Sequence, residues 1–261
     1  MRPGPSARGC GSGSGEKPGC SPAPTPGIDR GGAGRSPHRA GLSQSPEGDV
    51  DFDAAFDRWL DRHAENGSAA AHFLNPPADP SVLDAAEARI GFALPADLRR
   101  LWLRADGQQD IFTIADPAPG RVLCPLFGTY SFLSVQDALT TYQGWLDIWD
   151  GGGPDFDESF NGEAHVQRRG DDPVHREYWR PGWLPFSDDN GNAYAVDLAP
   201  APGGTIGQVI VIGPDEDLRR VLAPSITDFL ADAARRLRAF GRSSGERPIL
   251  YFDLEGRASA A

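Results

Sequence analysis

The stretch WLPFSDDNGNAYAVDLAP, Trp183 to Pro200, sets three acids and two asparagines between apolar runs. Residues of these types can ligate calcium, work as a pair of catalytic carboxylates, or turn the chain. A helix-flanked calcium loop needs oxygen ligands at positions one, three and five, Gly at six and Glu at twelve. Counted from Asp188, the chain supplies Asp188, Asn190 and Asn192, then fails with Ala193 and Ala199. The flanks also read as strands. Asn190-Gly191 is a strong hairpin signal, because both central residues of the favoured tight turn need positive φ. Asp188 and Asp189 would then project at the hairpin end. Paired carboxylates do acid–base work where burial or a cleft separates their pKa values, and nothing in the sequence supplies one.

Other chemical candidates are weaker. GGTIGQVIVIG, residues 203–213, resembles a phosphate loop but lacks its Lys and Ser/Thr, and its glycines precede a strand. It reads as a turn before a buried strand. His165 and His175 stand with Asp171, Asp172 and Glu177 in a polar segment, where a metal could be held. A solvated loop is the plainer reading. His63 and His72 lie nine residues apart across a predicted loop. Cys124, in LCPLFG, reads as a small core residue with no histidine partner placed by the sequence. No pair of cysteines has metal-ligand spacing, and no G-x-S-x-G elbow occurs.

Around these residues the elements follow from periodicity. Val50, Phe52, Phe56, Trp59 and Leu60 share a helical face, stopped by Asn66-Gly67. Pro80 and Ser81 open a second helix carrying Val82, Ala85, Ala86 and Ile90, closed by Gly91. A third follows Pro95, with Leu98, Leu101 and Trp102 as its stripe and Asp106-Gly107 as its stop. CPLFGTYSFL suggests a short strand. Ser134, with Asp137 three residues on, caps a fourth helix burying Val135, Ala138, Leu139, Tyr142, Leu146 and Trp149. Residues 151–178 read as a long exposed loop. The period then becomes two through WLPFSD, NAYAVDL and GQVIVIG. ITDFLADAARRLRAF, capped by Ser225, is a closing helix, and RPILYFDLE is an added strand or a loose extension. Helices first, hairpin strands later and a closing helix argue a single α+β domain. Its centre would be a mainly antiparallel sheet with flanking helices.

Composition sets bounds. Residues 1–48 contain 12 Gly, 8 Pro and no Phe, Tyr or Trp, too little apolar surface to offset ordering, so a disordered tail is expected there. The tail lacks the apolar run of a secretory signal, and no stretch approaches the roughly 20 apolar residues of a membrane span. A cytoplasmic location is expected. The chain's net charge is −12, and the tail's 6 basic and 3 acidic residues leave −15 on residues 49–261. That charge disfavours nucleic acid and anionic membranes and suits a basic partner.

Five short motifs then fall in a familiar order. They are Glu87 and Gly91, followed by Leu94-Pro95 and Asp97-Leu98-Arg99 and by Asp106-Gly107; FLSVQDAL; WLPFSDDNGNAYAVDLAP; GQVIVIG; and LAPSITDFL. Together, over about residues 50–240, they resemble the SUKH superfamily in its Smi/Knr-like branch. The resemblance implies an α+β fold and no enzyme activity, catalytic residue or cofactor. Bacterial members are largely thought to be immunity proteins that bind toxins, and fungal relatives regulate cell-wall assembly through protein contacts. The domain is expected over 49–241 with an extension at 242–261. The leading expectation is an immunity protein meeting a basic toxin through Asp155, Asp157, Glu158, Asp171, Asp172, Asp188 and Asp189. The alternatives are a regulatory or scaffold protein in cell-wall or growth control, and a metal-dependent hydrolase using the 151–178 segment.

Overall fold

A computed structural model of the chain describes residues 51–113, 122–160, 166–242 and 249–253, without the side chains of 151–160, 240 and 242. The chain divides into units Met1–Pro46 and Glu47–Ala261, and every described residue lies in the second. The tail expected at 1–48 lies outside the described residues.

Helix α1 (Phe52–Glu65) begins at Asp51, whose carboxylate accepts from the Asp53 amide, and ends at Asn66. It buries Phe52, Phe56 and Trp59. A short 3₁₀ turn spans Ala70–His72. Helix α2 (Pro80–Ile90) is capped by Asp79 and closed by Gly91 at φ 76°. Its buried face is Leu83, Ala86 and Ile90. The expected stripe was offset, and Val82 stays 42% exposed. Helix α3 (Ala96–Arg104) buries Leu98, Leu101 and Trp102, as its spacing predicts.

Strand β1 (Ser131–Phe132) is shorter than expected. Helix α4 (Val135–Phe160) starts at Ser134, whose hydroxyl accepts from the Asp137 amide at 3.1 Å. It runs on through three glycines and Pro154, so the loop expected at 151–178 is corrected: its first ten residues are helical. Extending an existing helix fixes one residue per new bond, whereas starting one fixes several. A stretch too poor to nucleate is carried by the helix before it. Next come β2 (Gln167–Arg168), β3 (Trp183–Pro185), β4 (Ser187–Asp188), β5 (Ala193–Asp197), β6 (Gln208–Ile212), β7 (Leu218–Arg219) and β8 (Val221–Ala223). Helix α5 (Ile226–Arg236), capped by Ser225, stops four residues short of the expected end. The chain then turns into β9 (Arg238–Arg242), which pairs with β10 (Leu250–Asp253).

The central sheet is antiparallel throughout, in the order β3-β5-β6-β8. Val196 of β5 stands between Leu184 of β3 and Val209 of β6. Every residue of β5 and β6 is buried, so the sheet is covered on both faces. Helix α4 packs on β3, α5 on β6 and β8, and α1 on α5. Phe127 is the aromatic pivot, its ring centroid 5.5 Å from Phe132 and 5.3 Å from Phe186. At about 25 cal/mol per Å² of apolar surface, each of the fully buried Trp59, Trp102, Trp179 and Trp183 contributes several kcal/mol.

Candidate functional site

The Asn190-Gly191 turn forms as expected, with φ of 54° and 89° at its central residues. Asp189 and Asn192 exchange backbone bonds of 2.8 and 3.1 Å across it. Asp188 is half-buried and accepts from the Gly191 amide at 3.1 Å. Burial raises its carboxyl pKa, and the neighbouring Asp189 charge adds to the shift. Asn192 grips the next loop: its carbonyl accepts from the Asp215 amide at 3.0 Å, and its amide donates to the Asp215 carboxylate at 2.9 Å. Among the described residues no group of three or more His, Cys, Asp or Glu could hold a metal ion.

A hollow lies on each side of this tip. One, of about 490 Å³, is lined by Phe112, Ser131, Asp188, Asp189 and Tyr251 among others. The second, of about 580 Å³, is a groove. Thr141, Gly144, Trp145 and Ile148 of α4 form one wall, and Tyr178, Gly191 and Pro214 the other. The α4 residues repeat at three and four, which puts them in one row of the helix. Trp145 meets Tyr178 at 5.5 Å and stacks on Trp179 at 6.4 Å. Burial raises the Tyr178 phenol pKa; the Arg219 cation opposes the shift, and the nearby charges of Asp215 and Asp217 add to it. Sequence reasoning missed this groove, because its walls come from segments far apart in the chain.

The predicted acids therefore scatter. Asp188 and Asp189 stand on the tip, to which Asn192 ties Asp215, an acid that went unpredicted. Asp172 is a structural staple: its carboxylate accepts from the Val221 amide at 2.8 Å and from Arg169 at 3.1 Å. Asp171 is exposed. Asp155, Asp157 and Glu158 fall on the last turns of α4, with side chains outside the described residues. His165 also lies outside them.

One nucleophile–base pair does form, and the sequence hid it. Cys124 Sγ lies 3.5 Å from His63 Nδ1 and 2.6 Å from Ser68 Oγ. Leu126's carbonyl can only accept, so His63 Nε2 donates to it at 3.0 Å. Nδ1 is then the acceptor and takes the Ser68 hydroxyl proton at 3.1 Å. Burial pushes the Cys124 thiol up to about 12 and the His63 imidazole down to about 4. Both groups are neutral and sealed, each 1% exposed. A thiolate nucleophile needs the opposite shift and an open face, so this chain of bonds is a core fixture.

The histidine has a thermodynamic signature. Below its ordinary pKa of 6.5 the unfolded chain binds a proton that the folded protein resists until about pH 4. Stability therefore falls as pH drops through that window, by roughly 3 kcal/mol from this residue. Urea melts at pH 7 and pH 4.5 should differ by most of that amount, and His63→Gln should flatten the difference. A variant with the parent's pH slope would remove His63 as its source.

The motif acids elsewhere are also welds. Glu87 accepts from the Leu94 amide at 2.8 Å and pairs with Arg99 at 3.0 Å, fixing the α2–α3 corner. Asp97 accepts from the Thr227 amide and hydroxyl, tying α3 to the start of α5. Asp106 accepts from the Val135 amide at the start of α4. Asp197, fully buried, accepts from Ala199 and Gln208, and burial raises its carboxyl pKa.

Comparison with known proteins gives a consistent picture. The model of the SMI1 / KNR4 family (SUKH-1) matches residues 77–232. The chain is 31% identical over 182 residues to the cell wall biosynthesis/cell cycle regulator smi1 of Schizosaccharomyces pombe, covering 68% of this chain and 34% of that protein. It is 29% identical over 208 residues to a KNR4/SMI1 homolog of Yarrowia lipolytica, covering 68% and 29%. Against the cell wall assembly regulator SMI1 of Saccharomyces cerevisiae it is 24% identical over 209 residues, covering 70% and 39%. The chain thus spans about a third of the length of the curated relatives it matches.

Proposed function

The chain belongs to the SMI1/KNR4 (SUKH-1) family, and from that premise we propose that it is a regulatory, non-enzymatic protein-binding module of the cytoplasm, acting in cell-wall assembly or growth control. The observation carrying this reading is that two of the relatives matched over two thirds of the chain are named as regulators of cell-wall biosynthesis and assembly. The site supports it. The Cys–His pair is sealed and neutral, the motif acids hold the frame, and the accessible relief includes an apolar groove with acids beside it. Immunity toward a basic toxin draws support from those acids, but the relatives' names support regulation instead.

Deleting the gene in its native cell should sensitise growth to an inhibitor of wall-glucan synthesis, and the full chain should restore resistance. Wild-type tolerance in the deletion strain, with a toxin encoded beside the gene and neutralised by the protein, would replace this reading with the immunity one. Stoichiometric tightly bound metal in the purified protein would reopen the hydrolase reading.

A further inference from the structure

We propose that the groove between α4 and the Tyr178–Gly191–Pro214 wall receives an amphipathic helix of a partner protein, apolar on the inserted face and basic along one flank. The proposal rests on the protein-binding reading above and specifies its partner chemistry. Three observations carry it.

First, the lining is almost wholly apolar and includes no charged side chain. Ile148 is 49% exposed there and, with Trp145 and Tyr178, makes a contiguous apolar lining instead of a lone surface residue. A segment docking by its backbone would need unpaired amides and carbonyls to meet it. A helix satisfies its own backbone and brings side chains alone.

Second, the groove floor is open at Gly144. A Cβ built there meets nothing within 4 Å. Glycine inside a helix weakens it relative to alanine, and no crowding in the folded protein requires it. The missing side chain instead deepens the groove between Thr141 and Ile148, where an inserted side chain would sit.

Third, the wall opposite α4 carries acids. Asp215, next to Pro214, and Asp217 are exposed, lie close enough to Tyr178 for their charges to act on its phenol, and form no ion pair among the described residues, whereas Asp188 and Asp189 line the hollow across the tip. An acidic lip beside an apolar trough matches a helix with Lys or Arg flanking its apolar stripe, and it repels an anionic membrane.

The test uses the full chain and a labelled helical peptide of about 15 residues, with Leu at i, i+3, i+4 and i+7 and Lys along one flank. Binding is expected to change Trp fluorescence and to weaken as salt is raised. Gly144→Leu, which fills the trough, and Ile148→Asp should each reduce affinity about tenfold or more while the melting temperature holds. The double variant Asp215→Lys, Asp217→Lys should do the same. Failure of the peptide to bind, equal binding of all variants, or preference for a proline-rich peptide of the same charge would overturn the proposal. If a wall-regulatory partner found in cells still binds Gly144→Leu unchanged, the groove assignment fails while the protein-binding function stands.

Discussion

Replacing Gly107 with Ala is expected to cost about 3 kcal/mol or more of folding stability, for a change of one methyl group. Gly107 has φ 77°, and its added Cβ would lie 2.3 Å from the Ser134 amide nitrogen and 2.7 Å from the Leu133 carbonyl carbon. Both obstacles are backbone, so no rotamer change relieves them. The surroundings are also tied. Gly107's carbonyl accepts from Asn75 at 3.0 Å, Asp106 holds the Val135 amide, and Trp102 donates to Leu133's carbonyl. The clash must therefore displace the start of α4 or break these bonds. In a domain of this size the melting temperature should fall by roughly 10 °C. Gly144→Ala is the control, since its Cβ has open space, and it should melt no lower than the parent. An Ala at 107 that melts with the parent would refute the close approach.

Arg219→Leu should cost a comparable amount, about 3–5 kcal/mol, by leaving a set of carbonyls without donors. Arg219 is fully buried. It donates to the carbonyls of Glu177 at 3.0 Å, Tyr178 at 2.7 Å and Glu216, and lies 5.9 Å from the ring centroids of Tyr178 and Trp183. Burial lowers its pKa to about 10, so the cation persists at neutral pH. Leucine fills part of the space and supplies no donor. Lysine restores the charge, but a single ammonium cannot reproduce the planar fork, so Arg219→Lys should recover only part of the loss. Urea titration of the three proteins orders them, and equal stability of the Leu variant would show that these bonds contribute nothing net. Because Arg219 fixes Tyr178, the Leu variant should also bind the helical peptide more weakly.

These two residues mark where the sequence was readable and where it was not. Asn190-Gly191 was legible because its signal is local: two positive-φ residues between apolar runs permit few other structures. The stripe Leu98, Leu101 and Trp102 was legible for the same reason. Gly107 was read only as a helix stop, since its neighbour Ser134 is 27 residues away. Arg219 sits in DEDLRR, a string that looks like a solvated face, and only the fold turns it inward. The extent of α4 was misread because GGGP has the composition of a loop, and α5 was overextended because RLRAF fits a helix until β10 arrives to pair with it. The groove required α4, Tyr178 and Pro214 together, which no window of sequence holds. The motif acids were recognised by pattern, and their work as amide acceptors became visible only in three dimensions.

The sealed thiol has a practical consequence. Cys124 is neutral, buried and bonded to Ser68, so an alkylating reagent can reach it only when the domain opens. With Cys10 and Cys20 replaced by Ser, the chain would carry a single built-in clock. The rate at which that sulfur is capped would time excursions from the native state, without a probe being grafted onto the surface.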